Sequence, residues 1–377
     1  MRIKGKTQKC AFPCFLHKKY VAISEMTGII DKNETFSSCE RRENVAATIK
    51  DISRETGLSL ATISKYLNGG NVLPKNREKI DAAVEKLHYQ VNEIARGLVT
   101  NRTRTIGVIV YNIASAFNGT LVSHIGHQLR RNNYGMLICD SAMDAETEAA
   151  NIRFLVSKKV DGIIAIPCTT DASPLAPAME AGIPVVTIDR VVQNSDVDSI
   201  VINNREAAGE ITERLIREGH RKIGLICSLK EYTGAERAKG FRDALEKAGI
   251  PVREDCIMDG YHTVAFGYQS MMKILQMEDR PTAVFATNYD LNLGMVMALN
   301  EKDVRCPEEI SLVGFDDLLL PHVVSPHLTV MKQPMAELGH TAVNVMMDRL
   351  SGRKDSPAEI TVLKARLIEG NSDRVIG

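Results

Sequence analysis

TGLSLATISKYLNGG (56–70) holds a helix stop, a helix start and a second stop in one short run. Gly57 can take the left-handed conformation that a tight interhelical turn needs, and Ser59 is a good N-cap for a helix running to about Leu67. Asn68-Gly69-Gly70 then stops that helix. Upstream, Thr48 can cap a helix from about Ile49 to Thr56, with Asp51 in the first turn, where the helix dipole favours an anion. Downstream, a third helix is predicted from about Lys75 to Leu87. Ile49, Ile52, Leu58, Ile63 and Leu67 fall on inward faces, and Ile80, Ala83, Val84 and Leu87 close the core. Small Ser53, four residues before Gly57, lets the first two helices approach. The face bearing Leu60, Ala61, Thr62 and Lys65 stays outside this core. A helix of that width fits the major groove of DNA, whereas the plainer reading of the same face is simple solvation.

Charge separates this head from the rest. Lysine plus arginine and aspartate plus glutamate both total 47 over 377 residues, so the formal net charge is zero. The balance is uneven along the chain. Residues 1–44 carry 9 basic and 5 acidic groups, 45–104 carry 10 and 6, and 105–377 carry 28 and 36. A basic head on an acidic body offers one end to a polyanion and keeps the other away from it. No apolar run approaches the ~18 residues of a membrane span, and CAFPCFL (10–16) is too short for a secretory core, so the expected compartment is the cytoplasm, with no membrane contact. The eight cysteines are mostly isolated in apolar runs, as reduced core thiols would be. Cys10 and Cys14 lack a second ligand pair at finger spacing, and His124 with His127 lacks a third ligand, so no metal is expected. His220, just after Gly219, reads as a helix-end cap. There is no phosphate-cradling glycine loop, nucleophile elbow or zinc motif, so neither an enzyme nor a cofactor is expected.

Residues 1–44 show neither helical nor strand periodicity and read as an unstructured extension. CERRENV (39–45) is compatible with a purine-rich ribosome-binding codon run followed by a GTG start at Val45. On that reading the native chain begins at Val45, read as methionine, and residues 1–44 are a mis-annotated leader; an intact mass from its own host that includes them would refute it.

From Thr105 onward, TIGVIVY, GMLICD, GIIAIP, PVVTID, SIVIN, KIGLIC, AVFAT and SLVGF alternate with amphipathic helical stretches. Continuous apolar strands between helices imply parallel sheet covered on both faces, and their number implies two similar lobes.

Several separated stretches, in order, then resemble one family. TIKDISRETGLSLATISKYLNGG (48–70), YQVNEIARGLVTNRTRTIGVIV (89–110), IDR (188–190), EGHRKIGLI (218–226), ERAKGFRDAL (236–245), PTAVFATN (281–288), ISLVGFDD (310–317) and LTVMKQPMAELG (328–339) are similar to the LacI/GalR family of bacterial transcription regulators. The resemblance covers nearly the whole chain from Val45. It implies an all-α helix-turn-helix head (45–90), a hinge helix and linker (91–104), and a two-lobed, periplasmic-binding-protein-like α/β body for effector binding and dimerisation (105–377), with the chain crossing between lobes near 200 and again near 330.

In such a protein Leu60, Ala61 and Lys65 face bases, with Lys50 close by, while Ser59, Thr62 and Asn68 hold phosphates and register. Lys65 stands where many members have arginine; it reaches guanine acceptors without the planar fork. Residues 92–100, beginning with Asn92, match the hinge helix. They are too few to hold a helix alone in water and are expected to order when paired on DNA. Leu98 matches the leucine wedge inserted into the minor groove.

Strand-end position together with the family motifs assigns Asp189, Arg237, Asn288 and Asp316 to an effector cleft, with His262 where an aromatic ring often stacks and Phe117 with Asn118 following the first strand. For each polar member the competing role is a helix cap or an interlobe hydrogen bond. The motif before the first body helix reads SAFN in place of Asn-Pro-Phe-Phe, and Tyr289 replaces the usual aspartate after Asn288.

The expected function is a sequence-specific repressor, a homodimer on a pseudo-palindromic double-stranded DNA operator, controlled by a small polar effector such as a sugar or derivative. The alternatives are a global regulator of the same family controlled by a phosphorylated partner protein, and a sugar-binding protein that does not bind DNA.

Overall fold

The structure, a computed structural model, describes residues 47–89, Gly97, 102–353 and 356–376. The 1–44 extension, the Val45 start, Asn92 and Leu98 lie outside the described residues. The chain divides into two compact units between Val91 and Asn92.

The first unit is a three-helix head: α1 (Ile49–Thr56), α2 (Leu60–Leu67) and α3 (Pro74–Lys86). Thr48 is the N-cap of α1, paired with Asp51 in a capping box whose carboxylate accepts both the Thr48 N–H (2.9 Å) and the Thr48 hydroxyl (2.7 Å). Gly57 turns the chain with φ 69° and donates its N–H to Ser53 O at 2.9 Å. Ser53 does more than stay small, because its hydroxyl donates to Leu58 O at 2.7 Å and ties the turn to α1. The Ser59 hydroxyl caps α2 by accepting from Thr62 N at 3.2 Å. Ile52, Ile63, Ile80 and Ala83 form the buried centre, with Ile49, Leu58, Leu67, Val84 and Leu87 packed around it. Tyr66 joins them from α2, and its hydroxyl donates to Asp81 at 2.6 Å.

The second unit contains two six-stranded sheets. The first lobe is built from β1 (Thr105–Val110), α4 (Ala116–Arg131), β2 (Gly135–Asp140), α5 (Ala145–Ser157), β3 (Gly162–Ala165), α6 (Ala176–Glu180), β4 (Val185–Ile188) and β5 (Asp198–Ile202). The second follows with α7 (Asn204–Arg217), β6 (Ile223–Cys227), α8 (Tyr232–Lys247), β7 (Ile257–Asp259), α9 (Val264–Leu275), β8 (Ala283–Ala286), α10 (Tyr289–Lys302), β9 (Ser311–Phe315), α11 (Leu320–Val323) and β10 (Thr329–Lys332). The chain then returns to the first lobe with α12 (Met335–Ser351) and β11 (Ile360–Leu363), and ends in the second with β12 (Arg366–Ile368). Sheet orders are β11-β5-β4-β3-β1-β2 and β12-β10-β9-β8-β6-β7, parallel throughout except for β10 against β12. The central strands are buried on both faces, as apolar runs without alternation require.

The two orders correspond strand for strand, so β4 and β9 hold equivalent places. Among the described residues the chain passes between lobes after Ile202, after Lys332 and again between Leu363 and Arg366, where the sequence patterns indicate only the first two passages. The third was hidden because ITVLKARLI (360–368) is two very short edge strands with alternating exposure. Asn203 stitches the first passage to the third, donating its N–H to Leu363 O at 3.1 Å and accepting from Ala365 N at 2.9 Å. His220 caps the end of α7 through its backbone, donating its N–H to Leu215 O at 3.1 Å, while its side chain turns inward. It is fully buried, and its Nδ1 lies 2.8 Å from the Thr282 hydroxyl.

Candidate DNA-reading helix and effector cleft

On the head, Lys50, Ser59, Ala61, Lys65 and Asn68 are exposed, and Leu60 keeps 43% of its surface in solvent. Ser59 and Thr62 are bound to each other, with hydroxyls 2.9 Å apart. They shape the α2 N-terminus, whose first backbone N–H groups suit an anion. Asn68 donates its amide to Ser64 at 3.3 Å. Gly70 folds back on α2, giving its N–H to Lys65 O at 2.8 Å, and a Cβ there would sit 2.7 Å from Lys65 Cγ. The Lys65 stem is therefore held at its base while its ammonium stays in solvent.

On the body, the carboxyl ends of both sheets meet around a cavity of about 320 Å³. Asp189 follows β4 and Asp316 follows β9, both buried and both with left-handed φ, 77° and 78°. The same strained device is thus used once in each lobe, and strain of this kind, ~1–3 kcal/mol per residue, persists where the surroundings fix it. Asp316 accepts from Tyr289 N at 3.1 Å and from the Gln333 amide at 2.6 Å. Burial raises the Asp189 pKa, against the pull of the Arg190 and Arg237 guanidiniums.

Arg237 reaches the cavity from α8 with only 2% of its surface exposed. Its Nε donates to Asn204 Oδ1 at 2.8 Å, its Nη1 donates to Thr287 O at 2.6 Å, and the guanidinium lies 3.6 Å from the Phe315 ring centroid. Burial lowers its pKa, with Asp316 and Asp189 opposing, but an arginine remains a cation under such a shift. Asn288 lines the cavity while its Oδ1 caps α10 by accepting from Leu291 N at 2.9 Å, so that helix-cap role is present. His262 also lines it. Burial first, then the two arginines, push its pKa down to about 3, and the ring is neutral.

Phe117 faces the cavity, but Asn118, one residue further round α4, does not. It is fully buried and gives its amide to Asn112 O at 2.8 Å, holding the loop that follows β1.

The structure adds residues that the strand-end reasoning passed over. Arg190, beside Asp189, is buried across the lobe boundary from Glu231, with 3.2 Å between Nη1 and Oε2. It also donates to Cys168 O at 2.8 Å and stands 5.4 Å from the Tyr111 ring centroid. Its place at the end of IDR was the available signal. Gln333 directly follows β10 within LTVMKQPMAELG and offered the same strand-end signal as Asp316, whereas Glu231 and Asp290 line the cavity from helix starts that carry no comparable pattern.

A head whose second helix presents an exposed reading face, together with a two-lobed body closing on a polar cleft, defines a ligand-responsive DNA-binding regulator. Residues 48–92 match the model of bacterial regulatory proteins of the lacI family, and residues 212–372 match that of a periplasmic binding protein-like domain. The HTH-type transcriptional repressor PurR of Yersinia pestis (strain Pestoides F) is 32% identical over 331 residues, covering 86% of this chain and 96% of the relative. The chain belongs to the LacI family. Among solved structures, the Lac repressor dimer bound to operator and the anti-inducer ONPF superposes with a TM-score of 0.79 at 24% identity, covering 87% of this chain and 99% of that one. The transcriptional regulator CelR–cellobiose complex superposes with a TM-score of 0.66 at 26% identity, covering 86% and 99%. Among the described residues no helix is long and apolar enough to cross a membrane.

Proposed function

We propose that this protein represses transcription as a homodimer on a pseudo-palindromic operator, and that a small polyhydroxylated ligand, a sugar or sugar derivative, sets its operator affinity. The observation that carries the effector class is the matched pair Asp189 and Asp316, presented from the two lobes on either side of one cleft beside the buried Arg237. Vicinal hydroxyls donate to carboxylates and accept from a guanidinium, and the Phe117 and Tyr111 rings in the lining suit the C–H side of a pyranose. The binding of cellobiose by CelR supports the same class.

Leu60, Ala61 and Lys65 read bases with Lys50 close by, and Ser59, Thr62 and Asn68 fix phosphates and register. Asn92 and Leu98 belong to the hinge that pairs on DNA in this reading. The protein works by binding in the cytoplasm, where operators are found, and carries out no chemistry on its ligand. Coupling follows from differential affinity: a ligand that contacts both lobes favours one lobe angle, and that angle favours or opposes DNA binding.

The test is capture of genomic fragments by the purified protein, followed by operator titrations across a sugar panel at fixed salt. A recurring palindrome whose affinity moves with one sugar class supports the reading. Enrichment of a palindrome that responds only to a phosphorylated protein partner replaces the effector part, and sequence-indifferent capture replaces the whole.

A further inference from the structure

The charges around the cleft do not cancel. Asp189, Glu231, Asp290 and Asp316 line it against two guanidiniums, Arg190 and Arg237, and His262 is neutral. Arg190 is taken up by Asp189, at 3.7 Å, and by Glu231. Arg237 directs two of its donors to Asn204 and Thr287. Asp316 receives only neutral donors, a backbone N–H and an amide.

The Asp290 carboxylate, in the first turn of α10, makes no hydrogen bond or ion pair with any described residue, and burial followed by the charge of Asp316 raises its pKa. A second, independent feature points the same way. Gln333 is 4% exposed and lines the cavity; its amide nitrogen is engaged by Asp316, and its Oε1 is buried without a partner. A buried acceptor left unmatched costs about 1–3 kcal/mol, which a donor on a ligand would relieve. The second-lobe wall therefore offers acceptors in excess: the Asp290 and Asp316 carboxylates and Gln333 Oε1.

We propose that the effector is a protonated amine on a polyhydroxyl frame, an amino sugar or similar cationic polyol, with its ammonium seated between Asp290, Asp316 and Gln333. The proposal rests on the reading of this cleft as the effector site and deepens it. An ammonium has three donors and no acceptor, and its charge offsets a surplus of negative charge that a neutral sugar would leave in a closing, drying cleft. Tyr111, Phe117 and Tyr289 add aromatic rings to the lining, and aromatic rings tolerate a cation.

Calorimetric titration of the full-length protein with glucosamine, galactosamine and mannosamine tests this, each beside its parent hexose and its N-acetyl derivative. At least one amine is expected to bind about tenfold or more tighter than both neutral forms, the equivalent of one charge-assisted contact. Asp290→Asn, checked for folding by circular dichroism, is expected to bring that ratio near one. Equal or tighter binding of a neutral form overturns the amine proposal and leaves the cleft reading standing, as does an unchanged ratio in Asp290→Asn. Failure of every sugar to bind overturns both.

Discussion

Replacing Arg237 with methionine keeps most of the side-chain volume and removes the charge. Thr287 O and Asn204 Oδ1 each lose a donor, and the buried carboxylates of Asp189 and Asp316 lose a guanidinium that the geometry places between the lobes. Removing one member of a buried charge set costs about 3–5 kcal/mol, because the remaining charge stays desolvated. Against a total stability of about 5–15 kcal/mol this is a large fraction, and it lowers the melting temperature of the body by roughly 10 °C. The sequence contains no tryptophan, so far-UV circular dichroism during urea unfolding is the suitable probe, read on the later transition if head and body separate. The cause is specific enough to be checked by rescue. Asp316→Asn in the Arg237→Met background removes a stranded carboxylate and should recover part of the loss, a coupling of about 1 kcal/mol or more. The loss should also shrink as the pH is lowered: burial raises the Asp189 pKa, so stability is greatest where that group is protonated and falls as the pH rises through its folded value. If Arg237→Met costs less than about 1 kcal/mol, or the double variant is no more stable than the single one, the buried-charge argument is wrong.

Three further outcomes follow from the same geometry. Gly57→Ala places a Cβ on a φ of 69° and should destabilise the head by about 1 kcal/mol without moving the body transition, which differential scanning calorimetry separates. Lys65→Ala should cost about 1–3 kcal/mol on the operator but little on random DNA in fluorescence anisotropy; equal losses on both would reassign Lys65 to a phosphate. Burial, followed by the neighbouring Asp373 carboxylate, pushes the Glu218 carboxyl well above the usual glutamate range, up to about 7, against the pull of Arg214. A raised acid stabilises the fold below its unfolded pKa and loses that contribution as the pH rises through the folded one, so the melting temperature should fall between about pH 5 and pH 8. Glu218→Gln should flatten that slope, and an unchanged slope would place the titration elsewhere.

The head was legible in the sequence almost residue by residue, because caps and turns are local chemistry: Gly57, Ser59 and Asn68 stop and start helices through their own backbones and near neighbours. The anchors of the cleft were legible for a different reason. Asp189, Asn288 and Asp316 stand where apolar strands end, and in a parallel sheet those ends converge. What escaped was rotation and closure. Asn118 differs from Phe117 by one step around a helix, which no motif match distinguishes. Glu231 meets Arg190 only across the lobe boundary, Asp290 enters from the first turn of α10, Gln333 was passed over although it follows β10 as Asp316 follows β9, and Asn203 meets Ala365 across a separation that carries no periodic signal.

The threefold passage between the lobes also sets an order of manufacture. The first lobe receives α12 and β11 only after the second lobe has been nearly finished, and the second receives β12 only after that. On the ribosome the head emerges complete within its first ninety or so residues and can fold at once, because its contacts are local. Both sheets, by contrast, wait with an open edge for the last stretch of chain. A chain cut between Lys332 and Ile360 therefore carries a folded head and two lobes that both lack an edge strand, with Asn203 left without Leu363 and Ala365.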